Sequence, residues 1–216
     1  MRRLTSIILG ATLSLALAST AQAQLAIGLR AGYNSSKISV TEDGTSLDEG
    51  FKSRGGFHAG ADLAIGLGPM FGIQVGGVYS QKGASMSEGT VEATIAVDYI
   101  DVPVLFVVSV PTSGNITPRL FAGGVASFKM SCKLKGSVDG QSVPSQDCTD
   151  DDIGTLKSSY FSALFGAGIK FGVGPGGLLL DVGYQLGLTN IVDSEIETVK
   201  ANVIQASLGY QFPLGG

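Results

Sequence analysis

A single histidine, His58, stands in a chain of 216 residues. It lies four residues before Asp62, in a stretch where apolar and polar side chains alternate. In an extended strand that spacing puts both side chains on one face. A histidine beside an acid and a serine hydroxyl is the equipment of nucleophilic hydrolysis: the serine attacks, the imidazole takes its proton and the acid orients the ring. Serines are plentiful, but none stands at a spacing that selects it as the third member. No catalytic residue is assigned on this basis, and His58 reads as a hydrogen-bonded interior histidine. A lipid-modifying enzyme stays as an alternative, distinguishable by lipid mass profiles with and without a His58 substitution.

Charged residues of both signs occupy the polar positions of other alternating stretches: Arg30, Asp62, Asp101, Arg119, Lys129, Lys170 and Asp181. Two chemistries suit such a set. The charges either line a path for solutes or pair with one another into a plug; the small enclosure argued below favours the plug, with Arg119 and Asp101 as a trial pair. Cys132 and Cys148 are the only two cysteines. If the chain is exported they meet an oxidising compartment and pair by default. Closing a loop of that size is worth roughly 3 kcal/mol in the chain-entropy model. Asp147, Asp150, Asp151 and Asp152 nearby offer oxygen ligands for a divalent cation, yet they read as a solvated acidic loop. No metal site and no cofactor is expected.

Export is written at the start of the chain. Arg2 and Arg3 precede an apolar stretch from Leu4 to about Ala18, and Ala21-Gln22-Ala23 forms a small-x-small cleavage site; residues 1–23 read as a signal peptide. The apolar stretch is interrupted by Thr5, Ser6, Gly10, Thr12 and Ser14 and falls short of the ~20 residues of a spanning helix. Losing Arg2 and Arg3 with the leader takes the formal net charge from −4 to −6. An exported acidic chain without a cationic stretch is no candidate for binding nucleic acid. Residues 24–216 have a length that suits one domain.

Eight segments of that domain alternate: residues 25–40, 55–67, 71–80, 99–108, 119–129, 161–171, 178–188 and 204–212. Each presents one apolar row, as Leu178, Leu180, Val182, Tyr184, Leu186 and Leu188 do, against a row of small or polar residues such as Asp181, Gly183, Gln185 and Gly187. Pro103 inside the fourth segment predicts a β-bulge there. The connections alternate too. Residues 68–69, 110–115 and 173–177 are short, while 41–54, 81–93, 131–158 and 189–200 are long and hold most of the acids.

A soluble barrel would have the same period, with its polar face in water and dense in Lys and Glu. Here the non-apolar face is mostly Gly, Ser and Gln with a few balancing charges, which suits the cramped interior of a small barrel. The apolar face then meets lipid. The expected fold is all-β, an eight-stranded antiparallel up-and-down transmembrane β-barrel, with short periplasmic turns and long extracellular loops. A barrel of eight strands encloses little more than its own side chains, and aqueous pores belong to about sixteen.

The chain also resembles the PorT-like outer-membrane β-barrel family, the porin-like proteins. The likeness is carried by Tyr79-Ser80-Gln81-Lys82-Gly83, Tyr99-Ile100-Asp101-Val102-Pro103, Leu120-Phe121-Ala122-Gly123-Gly124, the segment from Gly183 to Ile191, and Gly209-Tyr210-Gln211-Phe212. It implies an eight-stranded barrel in the outer membrane of a Gram-negative bacterium and no single shared activity; some relatives are tied to protein secretion. Such barrels often end on an aromatic residue, whereas Pro213-Leu214-Gly215-Gly216 follow Phe212 here. The expected protein is a non-enzymatic monomer with a structural or loop-mediated role, in contact with outer-membrane lipid and with a protein partner reached through the extracellular loops. A small solute pore is the other alternative, separable by single-channel recording.

Overall fold

The computed structural model describes residues 24–42, 45–46, 51–138, 141–148, 156–193 and 197–214; the leader at 1–23 and Asp150, Asp151 and Asp152 lie outside them. Ten strands follow in order: β1 (Leu25–Glu42), β2 (Thr45–Ser46), β3 (Phe51–Gly66), β4 (Phe71–Glu88), β5 (Val91–Ser109), β6 (Ile116–Val138), β7 (Gln141–Asp147), β8 (Ser159–Val173), β9 (Gly176–Gly187) and β10 (Glu197–Leu214). Each strand of the main sheet pairs antiparallel with its chain neighbour, and β1 pairs with β10 from Leu25↔Leu214 to Glu42↔Glu197. That last pairing closes a ring of eight, with β2 and β7 as short side pieces on β1 and β6. Closure leaves the ring without an edge, so the backbone groups of the wall pair across strands rather than with water.

The alternation sorts as its period demands. Leu29, Tyr33, Leu120, Phe161, Val182, Ile204 and Leu208 are each more than half exposed on the outer wall. The intervening Asn34, Gln74, Ser127, Ser162 and Gln185 are almost wholly buried inside. Lipid, not water, is the medium that makes such an outer face stable.

Three expectations need correction. Residues 81–93 are not a long loop: β4 runs to Glu88, β5 starts at Val91, and a turn at Gly89-Thr90 joins them, with Gly89 at φ 61° where other residues are strained. The long connection at 131–158 likewise contains the end of β6 and all of β7. The apolar–polar alternation fades where the wall leaves the lipid, so the strand ends carry no clear pattern. Pro103 makes no bulge either. Register runs unbroken from Val75↔Val104 to Val78↔Asp101, and the ladder simply opens opposite Gly76-Gly77, where proline has no N–H to give. The bulges lie elsewhere, between Asp98 and Tyr99 against β6 and between Ser53 and His58 against β4.

Candidate functional site

Since the outer wall is apolar, the groups able to do chemistry converge in the lumen. At the end carrying the described termini, periplasmic in barrels of this plan, a vestibule of about 560 Å³ opens inward to Gln74, Arg119, Lys170 and Gln211. Lys170 Nζ donates to Gln211 Oε1 at 3.0 Å, and Arg119 Nη2 donates to Gln74 Oε1 at 2.8 Å. Arg119 Nε stands 3.6 Å from Asp181 Oδ1 across the width of β8, and Arg30 Nη2 stands 2.7 Å from Asp62 Oδ1. The glycines between these partners make the room. A Cβ on Gly168 would meet Asp181 Oδ1 at 2.0 Å, and one on Gly28 would meet Asp62 Oδ2 at 2.6 Å.

Halfway along, His58 is buried between two hydroxyl-or-amide neighbours. Its Nδ1 lies 2.8 Å from Asn34 Oδ1 and its Nε2 lies 2.8 Å from Ser207 Oγ. Asn34 Nδ2 in turn donates to Ser80 Oγ at 2.8 Å. Asp62, the acid that shares its face, is engaged by Arg30 and makes no contact with the imidazole. The void beside Arg30, His58 and Ser207 measures about 20 Å³, space for about one water.

Above it lies a cation that sequence reasoning placed in a loop. Lys82 is 2% exposed, and its ammonium stands 2.7 Å from Asp101 Oδ2 and 2.9 Å from Oδ1. It also donates to Tyr160 Oη at 2.9 Å and to Gln185 Oε1 at 3.3 Å, while Ser127 Oγ donates to Asp101 Oδ1 at 2.6 Å. The rings of Tyr99 and Tyr160 flank the cation, adding to its stabilisation. Five strands thus meet on one ion. The trial pairing of Arg119 with Asp101 is therefore replaced: Asp101 belongs to Lys82 and Arg119 to Asp181. Continuing the inward row Gln74, Gly76, Val78, Ser80 by one more step reaches Lys82, which was the available signal.

The far end of the lumen is apolar. Val97, Tyr99, Tyr160, Ile191 and Ala201 cluster there, with Leu156 and Val192 from the connecting segments packed against them. The bridge Leu156↔Val192 and the bond from Lys157 N to Ile191 O tie those segments together. Lys129 Nζ donates to the Leu156 carbonyl at 3.0 Å, so its hydrogen bond goes to a neutral acceptor in the lid. Cys132 and Cys148 are disulfide-bonded, and Cys132 packs against the same apolar cluster. Among the described residues, no group of three or more His, Cys, Asp or Glu gathers to hold a metal ion.

Solved structures with similar chains include outer-membrane barrels. Ail, the attachment invasion locus protein of Yersinia pestis, was solved in complex with the heparin analogue sucrose octasulfate; it is 20% identical, covers 88% of this chain and 99% of its own, and gives a TM-score of 0.39. Neisserial surface protein A is 14% identical, over 88% of this chain and 97% of its own, with a TM-score of 0.45. OprG of Pseudomonas aeruginosa is 11% identical, over 89% and 97%, with a TM-score of 0.46. No curated protein matches the chain. The protein resides in the outer membrane of a Gram-negative bacterium. Residues 19–193 match the model of the outer membrane protein beta-barrel domain, and the chain belongs to that family.

Proposed function

We propose that the protein is a closed, non-enzymatic barrel whose lumen is a plug and whose working surface is the extracellular collar. The observation that carries this reading is the stack of ion pairs under an apolar lid: Arg30–Asp62, Arg119–Asp181 and Lys82–Asp101, then Val97, Tyr99, Tyr160 and Ile191. Ser207, His58 and Asn34 have the order of a hydrolytic relay, but the space beside them takes about one water and no acyl chain. Their bonds serve to satisfy a buried imidazole. A PorT-like role linked to protein secretion, with a monomeric barrel meeting its partner through the collar, is supported by the segments Tyr79–Gly83 and Tyr99–Pro103.

The purified full chain in planar bilayers is expected to conduct negligibly. The vestibule that reaches Arg119 and Lys170 favours the second reading, a small solute pore. Steady, ion-selective conductance would overturn the plug and establish that pore.

A further inference from the structure

On the extracellular side of the wall, β3, β4, β5 and β6 carry basic side chains that point outward rather than into the lumen. The register settles their direction. Ser85 Oγ and Thr94 Oγ1 are 3.0 Å apart and share the outer face. Their row is Lys52↔Ser85, Ser85↔Thr94 and Thr94↔Lys135. One row nearer the membrane, Gly83↔Ala96 and Ala96↔Lys133 place Lys133 outward as well. The bulge at Asp98/Tyr99, where Met130 is the extra residue, turns Lys133 and Lys135 outward although Lys129 points in. Arg54, beside the β3 bulge, reaches the same face by its side chain. Its Cδ lies against the outward side of Gly83, its Nη1 donates to the Lys82 carbonyl at 2.5 Å, and the outward Asp98 accepts a hydrogen bond from Ser131 at 3.0 Å.

The next row down is Tyr79↔Ile100 and Ile100↔Phe128, with Phe57 against Tyr79 at 5.5 Å. These rings mark the upper limit of the lipid-facing band. The Lys52–Lys135 row lies six residues above it, about 20 Å along the strands at ~3.3 Å per residue and about 15 Å in height once tilted. Four cations therefore occupy the level of the lipid headgroups, against three outward acids on β5 and β7: Asp98, Glu92 and Asp147, the last directly opposite Lys133. The opposite rim differs. Its outward residues, among them Leu25, Leu67, Phe71, Val110, Phe171 and Phe212, include no charged side chain among the described residues.

From this asymmetry we infer that Lys52, Arg54, Lys133 and Lys135 form a lateral binding site for the phosphorylated saccharide headgroup of the outer-leaflet glycolipid. Lysines and an arginine supply charge and donors to phosphate, and Ser85 and Thr94 between them supply hydroxyls to sugar or phosphate oxygens. A soluble anion would need no apolar band below the cations; a glycolipid needs both, with its acyl chains on Phe57, Tyr79 and Phe128. The inference rests on the outer-membrane placement and not on the closed lumen, which the conductance measurement tests separately.

The full chain, folded in detergent, is titrated with diphosphorylated lipid A and with the same lipid stripped of both phosphates, binding being read by native mass spectrometry. The wild type is expected to prefer the diphosphorylated form by about tenfold or more, and Lys52→Gln/Arg54→Gln/Lys133→Gln/Lys135→Gln to lose that preference. Should the fourfold variant lack the heat-dependent gel shift of a folded barrel, Lys133→Gln/Lys135→Gln takes its place. Equal binding of the two lipids by the wild type, or an undiminished preference in the folded variant, overturns the site. Inorganic phosphate that competes at concentrations equal to the lipid overturns the glycolipid assignment.

Discussion

Between Gly28 and Asn34 on β1 the interior is held by charge pairs next to the vestibule, whereas above Ser36 it is held by one buried cation beneath apolar side chains from the strands and from the connecting segments. Arg119 lines the vestibule and stands 3.6 Å from its acid. Lys82 is enclosed, is 2.7 Å from its acid, and has two phenol rings and an amide around it. Both are interior salt bridges with side chains no more than 9% exposed, but only Arg119 lines the vestibule. The vestibule makes the difference: when Asp181 goes, water from the adjoining space can solvate the guanidinium, whereas no such space adjoins the Lys82 ammonium, and an uncompensated charge without water is the costly case.

The largest expected effect follows from that contrast. Asp101→Ala strands the Lys82 ammonium under the lid, and its unfolding in urea should show a loss of about 3–5 kcal/mol. Asp181→Ala leaves Arg119 facing the vestibule and should cost clearly less. Replacing both members, as Lys82→Met/Asp101→Leu, should recover much of the first loss, because two apolar groups of similar volume need no partner. Equal losses for Asp101→Ala and Asp181→Ala would erase the distinction between the two halves.

A second way to sharpen it is to loosen the collar alone. The Cys132–Cys148 bridge spans 16 positions and joins β7 to the part of β6 that backs the lid. Cys132→Ser/Cys148→Ser removes a constraint of about 3 kcal/mol on the unfolded chain. Because β7 is exposed along its whole length and pairs only with β6 among the described residues, the effect should fall on the collar. Protease should cut within 139–150 sooner, while the membrane-embedded wall keeps its heat-dependent gel shift. Loss of that shift would mean that collar and wall unfold together.

The membrane-embedded half was readable in the sequence because lipid imposes the period: Leu178 to Leu188 leave no second choice of face. The inner row was readable for the same reason: Arg30, Asp62, Asp101, Arg119 and Asp181 all sit on the alternate, lumen-side positions of their strands. Their partners were not, since pairing across the lumen depends on which glycines clear the way and on a register that only the sheet reveals. Arg119 reaches Asp181 over Gly168, two strands away. In the collar the rule itself lapses. There the outer face meets polar surroundings while the inner face packs apolar residues such as Val97 and Cys132, so the wall's pattern no longer holds and Lys82 read as loop. The extra residue Met130 reverses the facing of every side chain after it on β6. A bulge has no signature in composition; Pro103 suggested one where there was none.

The smallest expected effect concerns what keeps the lid shut. Lys157 Nζ and Asp193 Oδ1 are 3.9 Å apart, with side chains 41% and 75% exposed. They link the two segments that supply Leu156, Ile191 and Val192 to the apolar cluster, so the ion pair is the obvious clasp by position. Energetically it is a weak one, because an exposed pair at that distance is screened and orders two mobile side chains for little return. The clasp is instead the burial of Ile191 and the backbone bonds from Lys157 N to Ile191 O and from Ile191 N to Val199 O, each 2.9 Å. Lys157→Gln should therefore change the unfolding free energy by at most about 0.5 kcal/mol. It should also leave amide hydrogen exchange at Ile191 unaltered between low and high salt. Faster exchange at Ile191 in the variant, or in wild type at high salt, would transfer the clasp to the surface charges and make the lid sensitive to ionic strength.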